Sequence, residues 1–192
     1  LIQGRALCTG WRVGAGDKML TNNHCLNTNE AARATEVWFN YQSETCTSGT
    51  PGRVVKVSGA QLLRAEGELD YALFTVNNAA SISHFGYLGL DTGPAAASQT
   101  IFIAGHPGGR LKELAINSDH DGGACRLGGA SGDSLTYSCD TEGGSSGAPV
   151  LARRSGKVIG LHYAAAGSCR NLGKRMEWIW PRIAGFFGNV VP

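Results

Sequence analysis

A serine flanked by glycines, a histidine and an aspartate are the residues of this sequence whose types and spacing fit acyl-transfer chemistry. Ser146 lies in residues 143–150, which read GGSSGAPV. Glycines let backbone amides approach a ligand closely, so such a turn can present a serine hydroxyl beside N–H groups that receive an oxyanion. A Gly/Ser-rich run is more often an ordinary loop. The chemistry therefore depends on a base and an acid elsewhere in the chain.

Those two groups are supplied by His24, in residues 20–25 (LTNNHC), and by Asp70, in residues 69–73 (LDYAL). In a triad, His24 would take the proton of the Ser146 hydroxyl and Asp70 would hold His24 in the required tautomer. The backbone N–H groups of Gly144 and Ser146 would form the oxyanion hole. The alternative is that the three are unrelated capping, turn and loop residues. The three segments occur in the chain order His, Asp, Ser. This is one of the known orders of a catalytic triad, and it favours the triad.

Together the three segments resemble the chymotrypsin-like serine proteases of bacteria, in which His precedes Asp and Asp precedes Ser. Residues 37–42, 77–80 and 106–107 are similar to the secreted lysyl endopeptidases. Residues 140–144 (DTEGG) and 160–163 (GLHY) resemble the glutamyl endopeptidases. The resemblance implies an all-β fold of two six-stranded antiparallel β-barrels with a C-terminal helix. It also implies peptide hydrolysis on polypeptide substrates, without a cofactor or a metal.

The elements that must position these residues are short strands, as the high glycine content of 28 in 192 residues favours. We predict an N-terminal barrel in residues 1–85, which carries His24 and Asp70. Residues 86–192 are predicted to form the second barrel, with Ser146, the specificity pocket and the helix.

Within the first barrel, residues 6–13 are predicted as one arm of a hairpin, and residues 53–57 and 61–64 as two separate strands. In the second barrel, a strand is predicted at residues 124–127, whereas residues 170–173 (RNLG) are interpreted as a loop. Residues 176–187 are predicted to form the helix.

Apolar positions within that terminal helix are spaced to bury one face. The predicted face consists of Trp178, Ile179, Ile183 and Phe187. Pro181 falls inside the pattern and is expected to kink or shorten the helix.

Composition and charge argue against several other classes of protein. A net charge of +2 without a basic stripe argues against nucleic acid as a partner. No apolar run approaches the ~20 residues that a membrane span needs. The chain begins without a signal-peptide pattern, so it is interpreted as a mature or processed form, and a monomer is expected. The run DHDG at residues 119–122 is interpreted as a solvated turn rather than a metal loop.

Six cysteines without a Cys-x-x-Cys pair indicate disulfides rather than a zinc site. Cys8 and Cys25 flank the strand–turn–strand pattern that ends at His24, and the family resemblance implies a bridge between them. Disulfides place the protein in an oxidising compartment, so secretion to the extracellular space or the periplasm is expected.

The remaining cysteines leave several pairings open. A bridge from Cys139 to Cys169 would close the specificity pocket, whereas a bridge from Cys139 to Cys125 would cross a hairpin. In the lysyl endopeptidases, the cysteines that match Cys46 and Cys169 pair with an N-terminal extension. Sequence alone does not decide among these pairings.

Two interpretations of the specificity pocket follow from the resemblance. Asp140 lies six residues before Ser146, where trypsin has its pocket-floor aspartate, and a buried carboxylate there would bind a P1 Arg or Lys. Alternatively, Thr141 and His162 would bind a P1 glutamate, as in the glutamyl endopeptidases. The lysine-binding aspartate of the lysyl endopeptidases has no equivalent in residues 170–173. The sequence favours a basic P1 residue, with Glu as the alternative.

The pocket is further expected to use Gly143 and Tyr163, because its walls should be residues 140–144 and 160–166. Ser145 stands where trypsin-like enzymes have an aspartate that accepts a new N-terminal ammonium. We therefore expect a zymogen that is activated by removal of a pro-region. The alternative to an active enzyme is an inactive homologue that serves as a binding module. Because all three triad positions are filled, the sequence favours an enzyme.

Overall fold

The computed structural model describes residues 1–3, 7–45, 47–118, 120–167 and 170–192. Over these ranges the chain folds into two curled antiparallel sheets and a short C-terminal helix. This confirms the all-β architecture of the chymotrypsin-like type. The prediction of six strands per barrel is wrong, because each sheet contains seven strands among the described residues.

The first sheet has the strand order β2-β1-β5-β6-β7-β4-β3. Its strands are β1 (Ile2–Gln3), β2 (Leu7–Cys8), β3 (Trp11–Arg12), β4 (Lys18–Thr21), β5 (Glu36–Phe39), β6 (Val55–Glu66) and β7 (Tyr71–Val76). The predicted arm at residues 6–13 is two strands, since β2 pairs with β1 and β3 pairs with β4. The chain therefore changes partners at the residues between them, next to the candidate site.

The two strands predicted at residues 53–57 and 61–64 are one continuous strand, β6. Its first part pairs with β5 and its second part pairs with β7, with register shifts after Gly59. A Cβ atom at Gly59 would lie 2.1 Å from the carbonyl oxygen of Ala32, in a short helix α1 (Asn29–Arg33) that the sequence analysis did not predict. Glycine at this position lets the helix lie directly on the strand as it bends from one partner to the next.

The second sheet has the strand order β10-β11-β14-β13-β12-β8-β9. Its strands are β8 (Ile101–Gly105), β9 (Glu113–Ala115), β10 (Leu127–Ser131), β11 (Ser134–Tyr137), β12 (Pro149–Ala152), β13 (Val158–Ala165) and β14 (Asn171–Arg175). The strand predicted at residues 124–127 is correct only in part, because Ala124 and Arg126 form isolated antiparallel bridges and the continuous strand β10 begins at Leu127.

The loop predicted at residues 170–173 is largely strand β14, which supplies the seventh strand of this sheet. β14 lies between β11 and β13 and pairs antiparallel with both of them. Asn171 donates a hydrogen bond from Nδ2 to the carbonyl oxygen of Cys139 at 2.6 Å. Gly173 has no room for a larger side chain, because a Cβ atom would lie 2.9 Å from the hydroxyl of Tyr137.

The C-terminal helix α2 (Met176–Ile183) continues into a 3₁₀ turn at Ala184–Phe187. The predicted shortening at Pro181 is confirmed, since the α-helix ends two residues later. Ile179 and Ile183 are buried, but the predicted burial of Trp178 is wrong, because its side chain is 46% exposed. Met176, Ile179 and Ile183 form the inward stripe instead. No helix in the described ranges is long and apolar enough to cross a membrane.

A shared apolar core joins the two sheets. Leu20 and Leu73 of the first sheet pack in one cluster with Val158 and Leu161 of the second and with Ile179 of the helix. The described strands of the first sheet end at residue 76 and those of the second begin at residue 101. A domain boundary between residues 85 and 86 stays a prediction.

Candidate active site

The side chains of His24 and Asp70 are joined in a way that fixes the imidazole. His24 Nδ1 lies 2.7 Å from Asp70 Oδ2, and the backbone N–H of His24 donates to Asp70 Oδ1 at 3.0 Å. An ionised carboxylate only accepts hydrogen bonds, so Nδ1 carries the proton and Nε2 is left as an acceptor. The His24 side chain is 46% exposed and that of Asp70 is 14% exposed. His24, oriented by Asp70, can therefore act as a general base, and its ring is accessible from the surface.

Asp70 is held by its backbone as well as by its side chain. It has a φ angle of 40° at the entry of β7, in the left-handed region that aspartate and asparagine tolerate best. Its carbonyl oxygen accepts a hydrogen bond from Asn22 Nδ2 at 2.8 Å. Asn22 is fully buried, two residues before His24. Hydrogen bonds between the segment of Asn22 and His24 and the segment of Asp70 therefore hold both residues of the pair in place.

The predicted disulfide between Cys8 and Cys25 is confirmed. It joins the residue after His24 to the residue before Thr9. The backbone N–H of Thr9 donates to the carbonyl oxygen of Ser146 at 2.8 Å. A short covalent and hydrogen-bonded path therefore connects His24 to Ser146.

The loop that carries Ser146 has two glycines that no other residue could replace without displacing neighbours. Gly144 has a φ angle of 96°, and a Cβ atom there would lie 2.5 Å from the carbonyl oxygen of His106. Gly147 has a φ angle of 85°, and its Cβ would lie 2.2 Å from the Thr9 carbonyl oxygen. The loop is packed against two other segments at distances that only glycine allows.

Carbonyl groups of this loop are tied away from the nucleophile. The Gly143 carbonyl accepts a hydrogen bond from the backbone N–H of Gly108 at 2.6 Å. The Gly144 carbonyl accepts one from Thr9 Oγ1 at 3.0 Å. Across the described ranges, the backbone N–H groups of Gly144 and Ser146 donate to no protein acceptor. Two amides are therefore available to a ligand beside the Ser146 hydroxyl, as an oxyanion hole requires.

Thr9 is a residue that the sequence analysis missed, although it is hydrogen-bonded to both Gly144 and Ser146 of the loop. Its hydroxyl donates to Gly144 and accepts from the backbone N–H of His106 at 3.0 Å. Its carbonyl accepts a hydrogen bond from Thr21 Oγ1 at 2.8 Å. The available signal in the sequence was its position next to Cys8.

The Ser146 and His24 side chains are not hydrogen-bonded to each other in this structure. In structures without substrate, such catalytic hydrogen bonds are often long and tighten only in the complex. The arrangement of His24, Asp70 and the two amides otherwise has the parts that acyl transfer needs: a base, an orienting carboxylate and oxyanion donors.

His162 lies one strand away from the nucleophile. Its backbone N–H donates to the Ala148 carbonyl, and its own carbonyl accepts from the Gly147 N–H, both at 2.9 Å. The imidazole is 4% exposed, and its Nδ1 lies 2.9 Å from the hydroxyl of Tyr137, a residue that the sequence analysis missed. Burial, with a smaller contribution from the charge of His24, lowers the pKa of His162 to about 4. The imidazole is therefore neutral at ordinary pH.

Asp140 has a different environment from His162. It is exposed, and it lines a cavity of about 130 Å³ together with Thr141, Ser145 and Glu113. His162 is not among the residues that line this cavity. The carboxylate predicted to form a buried pocket floor thus lies at the surface in this structure.

The other residues of the predicted pocket surround the same loop. Gly143 is exposed and Tyr163 is half-buried, with Lys174 Nζ 5.1 Å from the centre of its ring. That lysine also binds Asp133 at 2.7 Å, so its charge is already paired.

Cys139 forms a disulfide with Cys125, so of the two pairings considered for it the hairpin bridge is the one formed. The proposed bridge from Cys139 to Cys169 is therefore wrong. Cys46 and Cys169 lie outside the described residues, and so does Asp119 of the DHDG run.

One group of potential metal ligands occurs among the described residues: Cys8, His24 and Cys25. Both sulfur atoms belong to the disulfide, so they offer no thiolate to a metal.

The sequence matches a family model described as "Lysyl endopeptidase, C-terminal domain" over residues 2–178. Secreted RxLR effector protein 73 of Plasmopara viticola is 35% identical over 176 residues, which cover 88% of this chain and 43% of that protein. Uncharacterized protein y4fB of Sinorhizobium fredii (strain NBRC 101917 / NGR234) is 28% identical over 189 residues, or 89% of this chain and 27% of that protein. The chain spans less than half the length of these curated relatives.

Solved structures with the same fold are serine proteases of low sequence identity. A Glu endopeptidase in complex with MPD has a TM-score of 0.70 at 18% identity, over 97% of this chain and 87% of that one. The Rv3671c protease in its inactive form has a TM-score of 0.67 at 18% identity, over 96% and 87%. The serine endoprotease of Yersinia pestis has a TM-score of 0.68 at 13% identity, over 98% and 62%. At these identities the likeness shows the fold.

Proposed function

This chain belongs to the family of the lysyl endopeptidase C-terminal domain, and we propose that it is a serine endopeptidase acting through an acyl-enzyme. The open pair of amides beside Ser146 is the observation that carries the proposal. The Gly108–Gly143 hydrogen bond turns the Gly143 carbonyl away, so the neighbouring Gly144 N–H stays available for an oxyanion. Polypeptides are the proposed substrates, and no cofactor enters the reaction.

In this mechanism the Ser146 hydroxyl attacks the scissile carbonyl carbon while His24 Nε2 takes its proton. The carbonyl oxygen becomes an oxyanion that accepts hydrogen bonds from the Gly144 and Ser146 amides. Collapse of this intermediate breaks the C–N bond, and His24 returns the proton to the leaving amine. A water molecule then attacks the acyl-enzyme, with His24 again as base, and releases the acid and free Ser146. Asp70 keeps the imidazole oriented and stabilises its charged form throughout.

Labelling with a fluorophosphonate tests this proposal without knowledge of the natural substrate. The reagent should attach one group to Ser146, located by mass spectrometry of the digest, and Ser146→Ala should remove the label. His24→Ala should slow labelling strongly, because the hydroxyl loses its base. Ser155→Ala, on the exposed turn before β13, serves as the matched control. A folded wild-type protein that takes up no label would favour the binding-module alternative.

The preference at P1 follows from which of two side chains meets the substrate. An exposed Asp140 is a weak counter-charge for a P1 Lys or Arg, because solvent screens the interaction. The buried, neutral His162 is hydrogen-bonded through its backbone to Gly147 and Ala148, just after Ser146, and within the described residues its Nε2 has no protein partner. These environments favour the glutamate alternative over the basic residue that the sequence alone favoured.

We further propose that the protein is secreted and matures by loss of a pro-region. The Cys8–Cys25 and Cys125–Cys139 disulfides support an oxidising compartment, and the name of one relative describes a secreted protein. Ser145 is buried and has no carboxylate with which to bind an ammonium group, which supports activation by another route than the trypsin-like one. A monomer is the proposed state.

A further inference from the structure

We propose that Tyr137 is a positioning residue that sets the tautomer of His162, so that the pocket presents Nε2–H and selects a hydrogen-bond acceptor at P1. This inference rests on the proposed endopeptidase function. It concerns two buried side chains that touch each other, Tyr137 on β11 and His162 on β13. Glutamate is the expected P1 residue and glutamine the second.

Counting the hydrogens between the two rings gives the direction of their bond. The Tyr137 hydroxyl is buried, and within the described ranges its partner is His162 Nδ1 at 2.9 Å. If Nδ1 carried the imidazole proton, the phenol hydrogen would be left buried without an acceptor, which costs about 1 to 3 kcal/mol. The satisfied arrangement has the phenol donating and Nδ1 accepting.

The protonation states agree with this direction. Burial raises the pKa of Tyr137 well above its ordinary value, so the phenol keeps its hydrogen. Burial lowers the pKa of His162 to about 4, so the imidazole has a single hydrogen at neutral pH. With Nδ1 accepting, that hydrogen is on Nε2.

Nε2 has no protein partner in the described ranges and is not completely enclosed. The fully buried polar atoms that lack a partner there are Trp11 Nε1, Asn22 Oδ1 and Arg175 Nε, and Nε2 is not one of them. The backbone of His162 is hydrogen-bonded to Gly147 and Ala148, immediately after the nucleophile. A donor thus lies close to the position of the P1 side chain.

A hydrogen-bond donor at this position distinguishes P1 side chains that accept a hydrogen bond from those that donate one. A P1 carboxylate or amide oxygen accepts the Nε2–H bond, and the charged acceptor gives the stronger bond. A P1 ammonium would meet a second donor in a buried setting and would leave both without an acceptor. The nearby acids do not change this, because Asp133 is paired with Lys174 and Asp140 is exposed.

The test is the P1 preference of Tyr137→Phe, measured as kcat/KM for matched peptides with Glu, Gln, Leu or Lys at P1. Wild type should prefer Glu over Leu and leave Lys uncleaved. In Tyr137→Phe the Glu:Leu ratio should fall about tenfold, the size of one hydrogen bond to a charged group. Phenylalanine keeps the ring, so a loss through packing alone would lower both substrates together and leave the ratio intact.

Two further variants separate tautomer control from a structural effect. In His162→Gln the side-chain amide donates without a tautomer, so adding Tyr137→Phe to it should change the Glu:Leu ratio less than twofold. Tyr71→Phe removes another buried hydroxyl, bonded to Arg64 in the first sheet, and should leave the ratio within twofold of wild type. Equal effects of Tyr137→Phe in both backgrounds would overturn the inference.

These experiments distinguish a failure of the role of Tyr137 from a failure of the proposed endopeptidase function. Absence of fluorophosphonate label on Ser146 rejects the endopeptidase itself. A labelled enzyme that cleaves after Lys, or a Tyr137→Phe ratio equal to wild type, rejects only the role of Tyr137. If Tyr137→Phe does not fold, His162→Leu decides: it lacks the donor and should lose the Glu preference, and a His162→Leu enzyme that keeps it overturns the inference.

Discussion

Replacing Thr9 by valine should damage both stability and reactivity, because one hydroxyl binds the Gly144 carbonyl of the nucleophile loop and the backbone N–H of His106. Valine has nearly the same shape as threonine, so the change removes the hydroxyl and little else. The Gly144 carbonyl loses its donor and the His106 N–H loses its acceptor, both at 3.0 Å in the native protein. Thr9 is 3% exposed, so water does not readily replace these bonds.

The size of the effect follows from the two groups left unpaired. An unsatisfied buried backbone group costs about 1 to 3 kcal/mol, and the Gly144 carbonyl is only partly buried, so we expect about 2 to 4 kcal/mol in all. Serine keeps the hydroxyl and loses one methyl group, which costs about 1 kcal/mol. Thr9→Ser is therefore the matched control for Thr9→Val.

Reactivity should fall because Thr9 anchors the peptide that follows Gly144. Removing a whole oxyanion donor lowers the rate on the order of 100- to 1000-fold. A donor that is only held less firmly should lower the rate less, by about tenfold. Urea unfolding followed by tryptophan fluorescence gives the stability, and the rate constant of fluorophosphonate labelling gives the reactivity. Wild-type values of both quantities in Thr9→Val, or equal damage in Thr9→Ser and Thr9→Val, would contradict this role of the Thr9 hydroxyl.

Further predictions concern the same loop and its neighbour. Ser146→Ala should abolish proteolysis and shift the melting temperature little, since Ser146 is half-buried at a loop; a tenth of wild-type activity would contradict the nucleophile role. Gly147→Ala should cost about 3 kcal/mol or more in urea unfolding, because it adds a left-handed alanine and a Cβ 2.2 Å from an oxygen. Gly143→Ala, with no atom within 4 Å of its Cβ, should keep the stability of wild type. Stability should fall as the pH drops from about 6.5 to about 4, because the unfolded chain protonates His162 and His106 in this window and the folded chain does not; His162 contributes up to about 3 kcal/mol of this fall. His162→Gln should therefore make the fall smaller, and the part due to His106 should remain.

The sequence was informative about the site where chemistry requires particular residue types. His24, Asp70 and Ser146 could be selected because a base, an acid and a nucleophile stood in separate recognisable segments. Thr9 and Tyr137 were not found, because their roles depend on contacts with residues far along the chain. A threonine next to a cysteine and a tyrosine in a short strand have many other roles in proteins. Only the fold brings their hydroxyls to Gly144 and His162.

Strand boundaries were predictable where the local pattern was strong and failed where tertiary contacts decide. Residues 72–76 (ALFTV), which the sequence indicates as a strand, lie within β7. By contrast, β6 continues through Gly59, a residue that usually weakens a strand, because α1 packs on it there. β14 forms from a sequence that resembles a loop, because β11 and β13 supply partners on both sides. Local propensity is a weak guide in such places.

The candidate site is built across the two sheets rather than within either. His24 follows β4 and Asp70 precedes β7 of the first sheet, and the loop of Ser146 leads into β12 of the second. Thr9 joins them through the hydrogen bond from its N–H to the Ser146 carbonyl and through the Cys8–Cys25 disulfide beside His24. Since the Leu20 and Val158 cluster also spans this junction, a shift between the sheets would misplace base and nucleophile while each sheet kept its own strands. Activity should therefore be lost under milder denaturing conditions than secondary structure, and labelling of Ser146 and far-ultraviolet circular dichroism measured over one urea series would show the separation.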